Sequence, residues 1–250
     1  MDTLNNIVLE IQHYLSDYIL IVALGFGGIW FSFRTGFIQV RGFKEGMRRT
    51  FGGLFSKKGD AGKDGMSSFQ ALATAIAAQV GTGNIAGAAT AIAIGGPGAI
   101  FWMWVAAFLG MATIYCEAIM AQKYKKIGKD GVVTGGPVYY IRAAFQGVFG
   151  KVLAAIFAVL LIFALGFMGN AVQSNSIASA LSATFSIPKI GVGAVVALLT
   201  GVVIFGGIGR IAGVSEKLVP IMAGLFLAGG GVVLFVCRQA IPGAFQAILT

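Results

Sequence analysis

Between Ala77 and Gly87 the sequence reads AAQVGTGNIAG, and nothing from residue 66 to residue 101 carries a charge. Gln79, Thr82 and Asn84 stand among Gly81, Gly83 and Gly87. Two chemistries suit that pattern. The glycines give G-x-G-x-x-x-G, close to the strand–turn–helix that cradles the phosphates of a dinucleotide. That fingerprint needs a short strand before it and an acid about 20 residues on. The first acid downstream is Glu117, well past that spacing, so the phosphate reading is set aside. The other chemistry belongs to the main chain. Gly-Thr-Gly-Asn forms helix poorly. A helix unwound here ends in carbonyl oxygens that can hold a cation. It restarts near Asn84 with unpaired N–H groups and the positive end of its dipole, which suits a carboxylate. Close helix packing through Gly83 and Gly87, a G-x-x-x-G pair, accounts for the glycines but not for the polar residues between them.

The elements that hold this stretch are apolar. Of 250 residues, 57% are hydrophobic and 11% charged, with a mean hydropathy of +0.87, whereas soluble domains carry about 25% charged residues. The natural solvent of such a chain is a bilayer. Six stretches read as candidate spans: 18–33 (the shortest), 68–94, 99–121, 152–183, 190–209 and 218–237. The expected fold class is all-α, a polytopic membrane helix bundle. The critical residues fall at the middle of the second stretch, where polar groups are expensive unless they face a cavity or a partner. Residues 36–55 interleave basic and apolar side chains, as a helix lying on the membrane surface does, and residues 139–149 suggest another.

Of the 18 basic residues, all but Lys189 and Arg238 fall after the first, third or fifth stretch. Cytoplasmic loops are enriched in Lys and Arg, so the expected topology is a multi-pass plasma-membrane protein with its N-terminus outside and its basic loops cytoplasmic. The net charge of +9 is then inner-leaflet charge, and no nucleic-acid partner is needed to explain it. The acidic start, with Asp2, Glu10 and Asp17, does not read as a signal peptide. Cys116 and Cys237 read as apolar residues near opposite faces. One His and no C-x-x-C or H-E-x-x-H leave no structural or catalytic metal site. No nucleophile stands at one depth with a base, so no catalytic residue is expected. Of the acids, Glu117 is expected inside a span, paired with a nearby base such as Lys123. Gly135, Gly136 and Pro137 read as a turn into a surface helix, and Gly229 to Gly231 as a flexible point in the last span.

The stretch SSFQALATAIAAQVGTGNIAGAATAIAIGGPGAIFWMW, followed by YCEAIMAQKYK, TGGPVYYI and GNAVQSNSIASAL, strongly resembles the amino acid:cation symporter family, the alanine/glycine:sodium symporters. The resemblance implies sodium-coupled carriage of small neutral amino acids, chiefly alanine and glycine, on a leucine-transporter-type fold built from two inverted five-helix repeats. Residues 1–67 then supply one extra N-terminal helix and a basic interfacial segment, and residues 68–250 the first repeat. The family's GTGN segment is matched by Gly81, Thr82, Gly83 and Asn84, which implies an unwound core helix beside the substrate carboxylate and the cation. The expected cation ligands are Ala78, Gly81 and Thr82. The expected substrate contacts are Gln79, Thr82, Gly83 and Asn84, with Asn170, Gln173 and Asn175 from the family's polar patch. Positions 170, 173, 174 and 177 share one helix face, and Asn175 points elsewhere. Interhelical hydrogen bonding alone would also explain the patch. Neutral oxygen ligands favour sodium over protons. The second repeat is absent from these residues, and IPGAFQAILT reads as the start of an extracellular loop. The expectation is an N-terminal half that does not transport alone, or a half-subunit that pairs with another chain supplying the C-terminal half.

Overall fold

The computed structural model describes residues 2–55, 68–128 and 133–249. Lys57, Lys58, Lys63 and Lys129, which entered the charge count, lie outside them. The described chain is almost wholly helical, as so apolar a sequence must be where backbone groups can pair only with one another.

Helix α1 (Asp2–His13) runs through a π turn, Tyr14–Leu20, into α2 (Ile21–Arg34). Asn5–Arg34 is thus one rod of 30 residues, not the shortest span. The uncharged run stops at Asp17, but Ile7, Val8, Leu9 and Ile11 continue the apolar surface beyond it. Asp17 is matched one turn back by His13, with Nδ1 and Oδ2 2.6 Å apart. The amphipathic surface segment forms α3 (Ile38–Arg41) and α4 (Phe43–Phe55), entered through Phe37 in the left-handed region at φ 53°. On α4 the Glu45 carboxylate receives Arg48 at 2.8 Å and Arg49 at 2.7 Å, which holds its pKa below the usual range, Arg49 acting first.

The second expected span is two helices, α5 (Ser68–Gln79) and α6 (Thr82–Gly95). A turn with Gly96 at φ 69° leads into α7 (Gly98–Lys123). A short antiparallel ribbon, β1 (Lys126–Ile127) with β2 (Val133–Thr134), pairs Lys126 with Thr134. Gly136 at φ 98° then places Pro137 in the first turn of α8 (Pro137–Ala144). Helix α9 (Gly147–Leu161), a π segment (Ile162–Gly169) and α10 (Asn170–Phe185) make one rod of 39 residues. Next come α11 (Lys189–Ile204), α12 (Gly207–Val236), a 3₁₀ turn (Arg238–Ala240) and α13 (Ile241–Leu249).

Several expectations change here. The fifth span is only 16 residues, because Gly206 and Gly207, the latter at φ 73°, turn the chain. The sixth begins at Gly207, so Arg210, Glu216 and Lys217 ride on α12, and Glu117 is not alone among acids inside a spanning rod. Gly229 to Gly231 wind without interruption into Val236, and residues 241–249 are helix packed on α7 rather than loop. Among the described residues four rods are long and apolar enough to cross a membrane: Asn5–Arg34, Gly98–Lys123, Gly147–Phe185 and Gly207–Val236. The chain belongs in a bilayer as a polytopic helical protein.

The helices meet through small residues. Among the described residues the buried side chains are Ala73, Ala112, Ala154, Ala178, Val192, Ala212 and Val219, with Ser32, as expected where close backbone approach drives association. A Cβ at Gly28 would lie 2.7 Å from Leu109 Cβ, so α2 and α7 touch nearly backbone to backbone there. Ser32 donates to the Gly28 carbonyl at 2.7 Å and accepts Gln39 Nε2 at 2.7 Å, tying the surface segment to this contact. Large apolar side chains point outward, Phe205 being 94% exposed.

Candidate functional site

The break between α5 and α6 falls at Val80 and Gly81, with Gly81 extended at φ −104°, ψ 165°. The last turn of α5 closes when Val80 N–H donates to Ile76 O at 2.8 Å, and the first turn of α6 when the N–H groups of Asn84 and Ile85 donate to Gly81 O at 3.1 and 3.2 Å. The second helix therefore starts at Thr82, ahead of Asn84. Asn84 reaches back across the gap, its Nδ2 donating to the Gln79 carbonyl. Among the described residues the N–H groups of Gly81, Thr82 and Gly83 and the carbonyls of Ala77, Ala78 and Val80 have no hydrogen-bond partner. The gap thus presents donors on one side and acceptors on the other, within a few residues of chain. An anion and a cation could be held together there.

Each expected residue can be located against this gap. The Gln79 carbonyl is occupied by Asn84, and its side chain lies exposed. Gly81 offers its N–H, since its carbonyl already accepts two bonds. Ala78 offers its carbonyl. Gln173 is brought to the gap from α10: a Cβ at Gly81 would lie 2.9 Å from Gln173 Cδ, and one at Gly83 would lie 3.3 Å from Gln173 Cγ and from Val172 Cγ1. The glycines are therefore what lets this amide approach. Asn170 sits one turn away, its Nδ2 donating to Gly166 O at 2.9 Å. Asn175 is exposed and lines no cavity with them. A cavity of about 470 Å³ lies between α10 and α11, lined by Asn170, Gln173, Ser174 and Ile177 and, across from them, by Thr200 among others. The face shared by 170, 173, 174 and 177 is thus a real wall. Thr200 was not singled out, because a single Thr in an apolar helix gives no signal until its neighbour is known.

Glu117 does not pair with Lys123. Six residues apart on a helix of about 3.6 per turn, the two point to different sides, and the Lys123 ammonium lies 5.6 Å over the Tyr124 ring instead. The charge of Glu117 acts on Tyr140 of α8: burial first, and Glu117 second, hold the Tyr140 hydroxyl above its usual pKa.

The sequence model of the sodium:alanine symporter family matches residues 1–250. The sodium/alanine symporter AgcS of Methanococcus maripaludis is 42% identical over 236 residues, covering 93% of this chain and 51% of that one. The probable sodium/glutamine symporter GlnT of Bacillus subtilis is 39% identical over 246 residues, 98% of this chain and 50% of that one. The putative sodium/proton-dependent alanine carrier protein YrbD of the same organism is 45% identical over 208 residues, 83% and 41% of the two chains. The chain spans about half the length of the curated relatives it matches.

Proposed function

We propose, because the chain belongs to the sodium:alanine symporter family, that it serves sodium-coupled symport of small neutral amino acids, alanine and glycine foremost, across the plasma membrane. The observation that carries this reading is the break at Val80–Gly81 in a helix pair without a single charge. A zwitterion and a sodium ion together need what the gap offers. The free N–H groups of Gly81, Thr82 and Gly83 take the carboxylate at the positive end of α6. The Ala78 carbonyl, with Thr82, faces the sodium ion, a hard cation that prefers neutral oxygen ligands. Gln173, and beyond it Asn170, take the ammonium side of the substrate, and Asn84 braces the two half-helices. Gln79 and Asn175 are kept as outer contacts. Broken helices lend their ends to substrate and ion in this way in secondary transporters.

In the same reading, residues 68–250 are the first five-helix repeat of a leucine-transporter-type fold, and residues 1–67 an added helix with its interfacial segment. The N-terminus faces outward and the basic segments face the cytoplasm. A pocket between inverted repeats needs both walls, so these 250 residues are proposed to work with a second set of helices and not by themselves. The test is uptake of labelled alanine by proteoliposomes holding the chain alone, or holding it with the C-terminal portion of a full-length relative. Uptake driven by a sodium gradient in the paired vesicles is expected. Its absence from both preparations overturns the symport reading, and uptake by the chain alone overturns the need for a second wall.

A further inference from the structure

The cavity between α10 and α11 is polar where its surroundings are not. Asn170, Gln173 and Ser174 enter it from α10 at positions i, i+3 and i+4, and Thr200 enters from α11. All four stand on apolar helices, Gln173 half-buried and Asn170, Ser174 and Thr200 open to the cavity, and in a bilayer an unsatisfied polar group at such a place is costly. Several hydroxyls elsewhere in the bundle answer that cost locally, though Thr113, Ser179 and Ser182 do not. Thr74, Thr90, Ser176 and Thr184 each donate to the carbonyl four residues back, at 2.7 to 2.9 Å. Ser174 and Thr200 make no such bond, and neither they nor the Gln173 amide has a hydrogen-bond partner among the described residues. Gln173 also connects two places. It packs against Gly81 and Gly83 at the break, and it lines this cavity. The void and the exposed main-chain poles therefore share one side chain.

We infer that this cavity is a hydrated vestibule on the substrate's path, in which a small neutral amino acid exchanges water for the oxygens of Ser174 and Thr200 before or after it reaches the break. This rests on the symport reading and adds to it a compartment, two contact residues and the α11 wall. About 470 Å³ is ample for alanine with several waters, each of which occupies about 30 Å³ in the liquid. Gly193 and Gly201 of α11 also line the cavity, so that wall is low where they stand.

The test uses single cysteines in a Cys116→Ala, Cys237→Ala background, with Ser174→Cys and Thr200→Cys as probes and the outward-facing Leu199→Cys as control. Modification by a membrane-impermeant charged thiosulfonate is timed in the paired proteoliposomes, with and without alanine and sodium, and uptake is measured in the same vesicles. Because the thiolate is the reactive form and needs water, Ser174→Cys and Thr200→Cys are expected to react about tenfold or more faster than Leu199→Cys. Alanine with sodium is expected to slow both. Uptake with slow modification, or with fast modification that alanine leaves unchanged, overturns the vestibule and spares the symport reading. Fast, alanine-slowed modification with no uptake even by the Leu199→Cys vesicles overturns symport, and with it the vestibule's place on a transport path, leaving the cavity as a binding site alone.

Discussion

Removing the Asn84 amide tests the break most directly. In the native chain Asn84 Nδ2 is the partner of the Gln79 carbonyl, and that bond crosses the gap between α5 and α6. Asn84→Ala deletes the donor and leaves the carbonyl unpaired at the helix break. Side-chain hydrogen bonds inside membrane proteins average about 0.6 kcal/mol and reach about 1.7. No second donor among the described residues reaches this carbonyl, so the upper part of that range applies, about 1–1.7 kcal/mol. For a chain of this size about 1 kcal/mol moves Tm by roughly 2–4 °C. If the half-helices must be braced for the N–H groups to meet a carboxylate, the same energy appears in substrate affinity, as roughly a five- to eighteenfold rise in KM. Asn84→Asp goes further. Its carboxylate cannot donate to the carbonyl, and it stands in the first turn of α6, where it competes with the substrate for the positive helix end. The assay is sodium-driven alanine uptake in the paired vesicles at graded alanine, beside thermal unfolding in detergent. The expected order of KM is Asn < Ala < Asp, with a lowered Tm for Asn84→Ala. An Asn84→Ala protein with native KM and native Tm refutes the brace. A lowered Tm with native KM leaves the brace structural and refutes its role in binding.

Other consequences are checked more simply. Gly28→Ala places a Cβ 2.7 Å from Leu109 Cβ and 3.1 Å from its carbonyl oxygen. It should lower stability by about 1–3 kcal/mol through overpacking, whereas Gly27→Ala, with nothing within 4 Å, should match or exceed the native Tm in the same detergent melt. Glu216 Oε2 accepts Gln70 Nε2 at 2.8 Å and fastens α5 to α12. Glu216→Gln, which keeps an acceptor, should melt near the native chain, and Glu216→Ala should melt lower by the equivalent of about 1–2 kcal/mol. The Tyr140 hydroxyl titrates above the ordinary tyrosine range, by burial and then by Glu117. Glu117→Gln removes a negative charge that disfavours the phenolate, so ultraviolet difference titration should show Tyr140 ionising at lower pH than in the native chain, yet still above a free tyrosine because burial remains.

What the sequence disclosed, and what it hid, follows from how far each signal reaches along the chain. The break was legible because Gly81, Thr82 and Gly83 weaken helix locally, and because three polar residues in an uncharged run demand partners nearby. The α10 face was legible because helical periodicity alone groups 170, 173, 174 and 177. Thr200 was not, since only the packing of α11 on α10 makes it a wall. Charge misled at helix ends. The charge of Asp17 suggests a span end, yet the rod continues to Asn5, because a carboxylate matched by His13 one turn away costs an exposed helix little. Arg210 and Glu216 were read as loop for the same reason, although Arg210 folds back onto Val202 O at 3.0 Å and Glu216 meets Gln70. Glu117 was assigned to Lys123 by nearness in sequence, which a helix does not translate into nearness in space.

The alanine-rich seams of this bundle carry a mechanical meaning. Joints lined by Ala73, Ala112, Ala154, Ala178 and Ala212 have few protrusions to lock into sockets, so neighbouring rods approach closely along smooth seams. The bulky Leu, Ile and Phe side chains are instead turned outward, away from these seams. Such seams are held by close backbone approach, so their fit depends on these alanines staying small.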